Sequence, residues 1–303
     1  MTGLVTIIPG LVSAETDIRS LRGFALSPDF RFFPPPPTTL PLHYRIEKGP
    51  LPPVTGGTVR SGWYSWEDGI LSYDRPFFTG RLGMRVDRGQ IRITPGFLRI
   101  PFSIGGIRTA GELLFGRMTW DLFNAGWMVL RGCAWQSGAG RVSILVMPGM
   151  NGKTSLVHEI LSRDPAASLI AEDILVCKHG PDGLEVVPTA PFFDNQGRKP
   201  NARLAACANR ICTPTAPLIA GEVYYATNSL SADPWRARES LDFALTNGLF
   251  FLHDPMVSLE MLITGSVSTV FERIKTSFAA IGGQILAGQH FNLCGILSQT
   301  TRG

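Results

Sequence analysis

The chain has 303 residues, 44% of them hydrophobic and 17% charged, with a formal net charge of +4 and a pI near 8.9. This composition supports one large domain or two ordinary ones around a sizeable core, and it excludes a disordered or low-complexity chain. The basic excess is small and no block of like charges occurs, so neither nucleic acid nor a membrane surface is an expected partner.

The first stretch, "MTGLVTIIPGLVSAETDIR", is apolar but has no basic leader and no long apolar core, which argues against a signal peptide. No run of about 18 apolar residues suggests a membrane span. The five cysteines, Cys133, Cys177, Cys207, Cys212 and Cys294, form no C-x-x-C pair. They read as reduced thiols, and the expected compartment is cytoplasmic. Residues 1–60 read as loop-rich around "FFPPPPTTLPLHYRIEKGPLPPV". There Pro34 to Pro37 should be extended as polyproline II: a rigid surface strap or interdomain spacer, with Phe32 and Phe33 flanking it as anchors, is favoured over a proline-rich ligand for a recognition module.

Residues 61–105 carry hairpin signals. "GWYSWEDGILSYD" places a Glu67-Asp68-Gly69 turn between apolar runs, and "GRLGMRVDRGQIRITPG" alternates Leu82, Met84, Val86, Ile91 and Ile93 around Asp87-Arg88-Gly89. The arginines between those apolar residues predict a solvated strand face. A helix is expected over 111–127 from Leu113, Leu114, Met118, Leu122 and Phe123, then strands at "WMVLRGCAWQSG" and "RVSILVM". Next comes a helix from Thr154 with Leu156, Val157, Ile160 and Leu161 on one side, stopped at Asp164-Pro165. The apolar run "SLIAEDILVCKH" follows, turned by "HGPDG" into "LEVVPT". The order strand, glycine loop, helix, strand, hairpin predicts an α/β nucleotide-binding core. Further on, a basic segment holds Arg198, Lys199 and Arg203. After it, "GEVYYATNSL" reads as a strand, and residues 238–283 as two or three helices broken near Asp254-Pro255 and Gly265.

Between "RVSILVM" and the helix lies "PGMNGKTS". A Gly-Lys-[Ser/Thr] tripeptide arises by chance roughly 0.07 times in a chain of this composition, and lysine is scarce, with only Lys48, Lys153, Lys178, Lys199 and Lys275. A phosphate-binding loop needs consecutive backbone N–H groups around one concavity at a helix N-terminus. Lys153 and Thr154 fit its cation and its magnesium ligand, while Gly149, Asn151 and Gly152 suit positive φ. Only Met150 and Asn151 separate the two glycines, against four residues in the full motif, and Met147 stands where the motif has its first glycine. About twenty residues on, Glu172 and Asp173 sit in an apolar strand, where carboxylates are costly without a cation or hydrogen-bond donors. Adjacent strand residues face opposite sides, so one acid should face the loop and the other turn away unless a bulge intervenes.

The segment "VLRGCAWQSGAGRVSILVMPGMNGKTSLVHEILSRDPAASLIAEDILVC" resembles the kinase domain of HPr kinase/phosphorylase and its relatives, including those found with lasso-peptide pathways. The family shows a strand ending His-Gly, a short hairpin, a phosphate loop, a helix, and a strand with an acidic pair. The counterparts here are Arg131-Gly132, "QSGAG", "PGMNGKTS", the helix from Thr154, and Ala171-Glu172-Asp173. The resemblance spans roughly residues 110–190. It implies an α/β (α+β) chain with a core shared with phosphoenolpyruvate carboxykinase. Residues 1–105 would form a proline-rich, mainly β N-terminal region, and 106–303 an HPr-kinase-like domain with a helical C-terminal part. It also implies ATP and Mg²⁺ as cofactors, with phosphoryl transfer to a Ser or Thr hydroxyl of a peptide, a protein or a small molecule. Lys153, Glu172 and Asp173 would be catalytic. Gly149, Met150, Asn151, Gly152, Lys153, Thr154, Ser155 and Arg131 would surround the nucleotide. Thr154 with Glu172 or Asp173 would hold the metal, leaving the other acid as base. Relatives often form oligomers, so a homo-oligomer is one candidate assembly. The departures are the shorter glycine spacing, Arg131 in place of histidine, and Glu172 in place of aspartate. They define an alternative: a catalytically degenerate nucleotide-binding or scaffold protein.

Overall fold

The computed structural model describes residues 3–17, 33–51, 59–62, 64–67, 70–77, 80–87, 89–99, 106–146, 153–189, 210, 217–227, 255–280 and 284–287. Over these the protein is a mixed α/β chain with two sheets and five helices. It divides into two compact units. The first comprises Met1–Asn124, Asn195–Arg198 and Phe251–Val270; the second comprises Ala125–Asp194, Lys199–Phe250 and Phe271–Gly303. No described helix is long and apolar enough to cross a membrane.

The first unit is built on an eight-stranded sheet. Its strands are β1 (Gly3–Ile8), β2 (Val12–Thr16), β3 (Leu42–Lys48), β4 (Val59–Ser61), β5 (Tyr64–Glu67), β6 (Ile70–Phe77), β7 (Gly80–Asp87) and β8 (Gln90–Ile93), in the order β1-β2-β3-β8-β7-β6-β5-β4. Three strands therefore fall where the sequence suggests loops. Pro9, Pro34 to Pro37, Pro41 and Pro50 stand outside these three strands, and the apolar runs between them still pair. Phe33 is buried and bridges to Thr6, whose hydroxyl donates to the carbonyl of Pro34 at 2.6 Å. This is the anchor expected of the strap, while Phe32 lies outside the described residues. The β7–β8 hairpin pairs Asp87 with Gln90, and Met84, Val86, Ile91 and Ile93 are all buried. Gly89 in its turn has φ +85°, and a Cβ there would lie 2.8 Å from the His43 carbonyl oxygen. The turn thus holds β3 close, and the Gly89 carbonyl accepts from Arg45 N at 2.8 Å.

Two helices, α1 (Pro95–Arg99) and α2 (Gly106–Asn124), follow the sheet, and a third, α4 (Pro255–Ile263), returns to the first unit much later in the chain. Leu113, Leu114, Met118, Leu122 and Phe123 of α2 are buried. Its polar side carries Arg117, which bonds Asp121 at 2.9 Å and Glu260 of α4 at 2.7 Å, while Tyr44 of β3 donates to Asp121 at 2.7 Å. Burial, then the Asp121 carboxylate, pushes the Tyr44 phenol well above its usual value.

The second unit holds a seven-stranded mixed sheet. Its strands are β9 (Met128–Gln136), β10 (Val142–Val146), β11 (Ser168–Gly180), β12 (Gly183–Val187), β13 (Leu218–Ala220), β14 (Glu222–Thr227) and β15 (Gln284–Ala287), ordered β13-β12-β11-β9-β10-β14-β15. β10, β14 and β15 run parallel, and β9 is antiparallel to both β10 and β11. The chain from β10 through α3 (Lys153–Arg163) to β11 is therefore a crossover between two strands of the same direction with β9 between them. Leu156, Val157, Ile160 and Leu161 of α3 join Cys133, Trp135, Leu145, Leu169 and Tyr224 in one buried cluster. The last helix, α5 (Val267–Ala280), follows α4 after a turn at Gly265, which has φ +64°. The Asp68-Gly69 turn, the basic segment with Arg198, Lys199 and Arg203, and Cys207, Cys212 and Cys294 lie outside the described residues.

Candidate functional site

The site assembles where β10 ends and α3 begins. Strand register sets its frame: on β9, Gly132 stands between Val146 of β10 and Asp173 of β11, and Cys133 stands between Leu145 and Glu172. The acidic pair is thereby level with the last residues of the strand that feeds the glycine loop. This is the carboxyl end of a strand, where ligands of open α/β sheets gather.

Gly132 makes that close alignment feasible. A Cβ there would sit 2.6 Å from the Leu145 carbonyl oxygen, nearer than any side chain can pack. Arg131, its neighbour, is opposite Ile174 and sends its guanidinium to Asp173 Oδ2 at 3.3 Å.

Lys153 is the first residue of α3 and is only 4% exposed. Both facts oppose a cation, because the helix N-terminus already carries partial positive charge and burial removes water from the ammonium. The offsetting group is Asp173, whose Oδ1 lies 2.9 Å from Lys153 Nζ. Thr154, next on the helix, donates its hydroxyl to Glu172, a carboxylate that is 3% exposed. Ser155 faces solvent.

Both acids therefore reach the start of α3, although a regular strand would send them to opposite sides. The reason is in the backbone. Asp173 has φ +67°, and among the described residues no other non-glycine has positive φ. The register also shifts between Leu169 and Ala171, leaving Ile170 without a counterpart on β9. The irregularity breaks the two-residue alternation and turns a strand pair into a cluster.

The cluster thus holds two cations, two carboxylates and a hydroxyl from three sequence-predicted elements. Arg131, Lys153, Thr154, Glu172 and Asp173 come together as residues of one site. Gly149, Met150, Asn151 and Gly152 lie outside the described residues. No group of three His, Cys, Asp or Glu side chains that could hold a metal is found among the described residues. A cation here would be bound by few protein oxygens and by water or substrate oxygens, which is how Mg²⁺ is commonly held.

Sequence reasoning missed two groups. Cys133 lies on β9 beside the cluster, and burial pushes its thiol up to about 12, against a smaller opposing pull from Lys153. Arg210 closes the far end of α3. Its guanidinium donates to the carbonyls of Leu161 at 2.5 Å and Ala167 at 2.6 Å, and also to that of Asp164. Neither residue belongs to a motif, so only the three-dimensional arrangement reveals them. Compared with known proteins, the chain matches no family model and no curated protein.

Proposed function

We propose that the chain is an ATP- and Mg²⁺-dependent kinase of the HPr-kinase-like type, transferring a phosphoryl group to a Ser or Thr hydroxyl of a peptide, a protein or a small molecule. The observation that carries this reading is the pairing of Lys153 and Thr154, at the N-terminus of α3, with Asp173 and Glu172 on β11. A buried lysine and a buried glutamate placed together at a helix start are poor choices for stability alone.

The contacts favour one division of the roles. Glu172 and Thr154 share one hydrogen bond and offer two hard oxygens to Mg²⁺. Lys153 and Arg131 both face Asp173 and would turn to the phosphates when nucleotide enters. Asp173 would then be released from one or both cations to accept the proton of the acceptor hydroxyl. Catalysis of this kind rests on positioning and on neutralising charge spread over the phosphoryl oxygens.

The degenerate alternative draws on one contact. Both oxygens of Asp173 are engaged by cations, so Asp173 must give up an ion pair before it can act as base. Titration with ATP·Mg²⁺ followed by an assay for phosphoryl transfer separates the two. The kinase reading expects saturable binding, transfer, and loss of transfer in Lys153→Ala with the fold retained by circular dichroism. Full transfer in that variant would sink it, and absence of binding at millimolar ATP would favour the degenerate relative.

A further inference from the structure

The outer face of the first unit's sheet carries a second charged arrangement. Met84, Val86, Ile91 and Ile93 point into the core, so Arg85, Asp87, Gln90 and Arg92 point away from it. Register fixes their neighbours across strands. Glu47 of β3 is opposite Arg92 of β8, Arg92 is opposite Arg85 of β7, and Arg85 is opposite Ser72 of β6.

Two arginines directly opposite on antiparallel strands repel one another. The acids around them relieve this only in part. Glu47 pairs with Arg45 at 2.6 Å and, through its other oxygen, with Arg92 at 3.9 Å, while Arg85 makes no ion pair among the described residues. Arg45, Glu47, Arg85, Asp87, Gln90 and Arg92 line a cavity of about 110 Å³. Ser72, buried beside Arg85, adds a hydroxyl to the same cross-strand row.

We propose that this hollow binds the carboxylate of an acidic side chain in an extended peptide. An anion placed between Arg85 and Arg92 converts their repulsion into two charge-assisted hydrogen-bonded pairs, and guanidinium forks match a carboxylate in shape. The cavity is far below the roughly 300 Å³ or more of a small-molecule pocket, so it takes one oxyanion group rather than a nucleotide. Glu47 and Asp87, which also line the hollow, repel a polyanion and favour a ligand whose acid is flanked by lysine or arginine. The inference does not depend on the nucleotide site.

The test is calorimetric titration of the full chain at low salt with acetyl-Gly-Lys-Glu-Lys-Gly-amide, with the same peptide carrying glutamine for glutamate, and with inorganic phosphate alone. The glutamate peptide should bind, and the glutamine peptide should bind about tenfold more weakly, the worth of one charge-assisted contact. Arg85→Ala should also weaken the glutamate peptide about tenfold, yet melt no lower than the parent without ligand, because a repulsion has been removed. If Arg85→Ala does not fold, Arg85→Gln serves instead and should weaken the glutamate peptide to a similar extent. Equal binding of the two peptides, phosphate alone binding as tightly as the glutamate peptide, or unchanged affinity in the Arg85 variant overturns the proposal.

Discussion

Asp173 holds φ +67° within a strand, a conformation that costs a non-glycine residue on the order of 1 kcal/mol or more. From that angle the side chain meets both Lys153 and Arg131. Comparing Asp173→Gly with Asp173→Ala isolates the backbone term, since both remove the carboxylate. The glycine variant should be the more stable by about 1 kcal/mol in urea unfolding, because glycine alone takes positive φ freely. In a regular strand the order is reversed, as glycine there loses more chain entropy. Equal stability would mean that the angle is not imposed by the fold. At this scale the sequence was legible in kind but not in geometry. Gly-Lys-Thr and Glu172-Asp173 marked the site, but alternation predicts divergent acids, and nothing in "SLIAEDILVC" announces a left-handed aspartate. Gly132 shows a different kind of opacity: it reads as any strand glycine until the Leu145 carbonyl is found 2.6 Å from its missing Cβ.

At the scale of elements, α3 and β11 matter most, because each carries half of the site. They are joined by the turn Asp164–Ala167, and the joint is closed twice. The Asp164 carboxylate accepts from Gly138 N at 2.8 Å and Ala166 N at 3.0 Å, tying the β9–β10 turn to the helix end. Arg210 gathers the carbonyls of Leu161, Asp164 and Ala167, which sit at the negative end of the helix dipole. Arg210→Ala should therefore cost about 2–3 kcal/mol, the range for charged hydrogen bonds and stranded acceptors. Arg210→Lys should recover only part of this, since an ammonium lacks the fork. Urea denaturation checks both, and a loss below about 0.5 kcal/mol in Arg210→Ala would show that water replaces the guanidinium. Helix α3 was readable from its apolar spacing and its Asp164-Pro165 stop, both of which are local. Strand β3 was hidden because proline-rich punctuation dominates residues 34–53, while its pairing partners β2 and β8 lie far along the chain; β1 and β2 pair with each other across a short turn.

Across the whole molecule, buried thiols link stability to pH. Burial holds Cys133 and Cys177 up to about 12, against an ordinary value of 9.0. Below the ordinary value both folded and unfolded states keep the protons, and this contribution is fully present. Above it the unfolded chain loses protons first, so stability falls as pH climbs toward 12, by about 1.4 kcal/mol per pH unit for each thiol. Urea unfolding between pH 8 and 10 should show this decline, and Cys177→Ala should reduce its slope; an unchanged slope would remove Cys177 from the account. The division into two sheets was only partly legible. The hairpins and the strand–loop–helix order forecast two textures, but helix α4 groups with the first unit through the Arg117–Glu260 pair, 143 residues apart in sequence. That pairing has a consequence for synthesis. Ribosomes add about 5–20 residues per second, so roughly 7–29 s separate the emergence of Arg117 from that of Glu260. Throughout that interval α2 is present without α4, and the first unit waits unfinished while strands β9 to β14 of the second are translated. The first unit is completed only after strands β9 to β14 have emerged, and a chaperone that shields α2 would have its working time set by the length of that intervening segment.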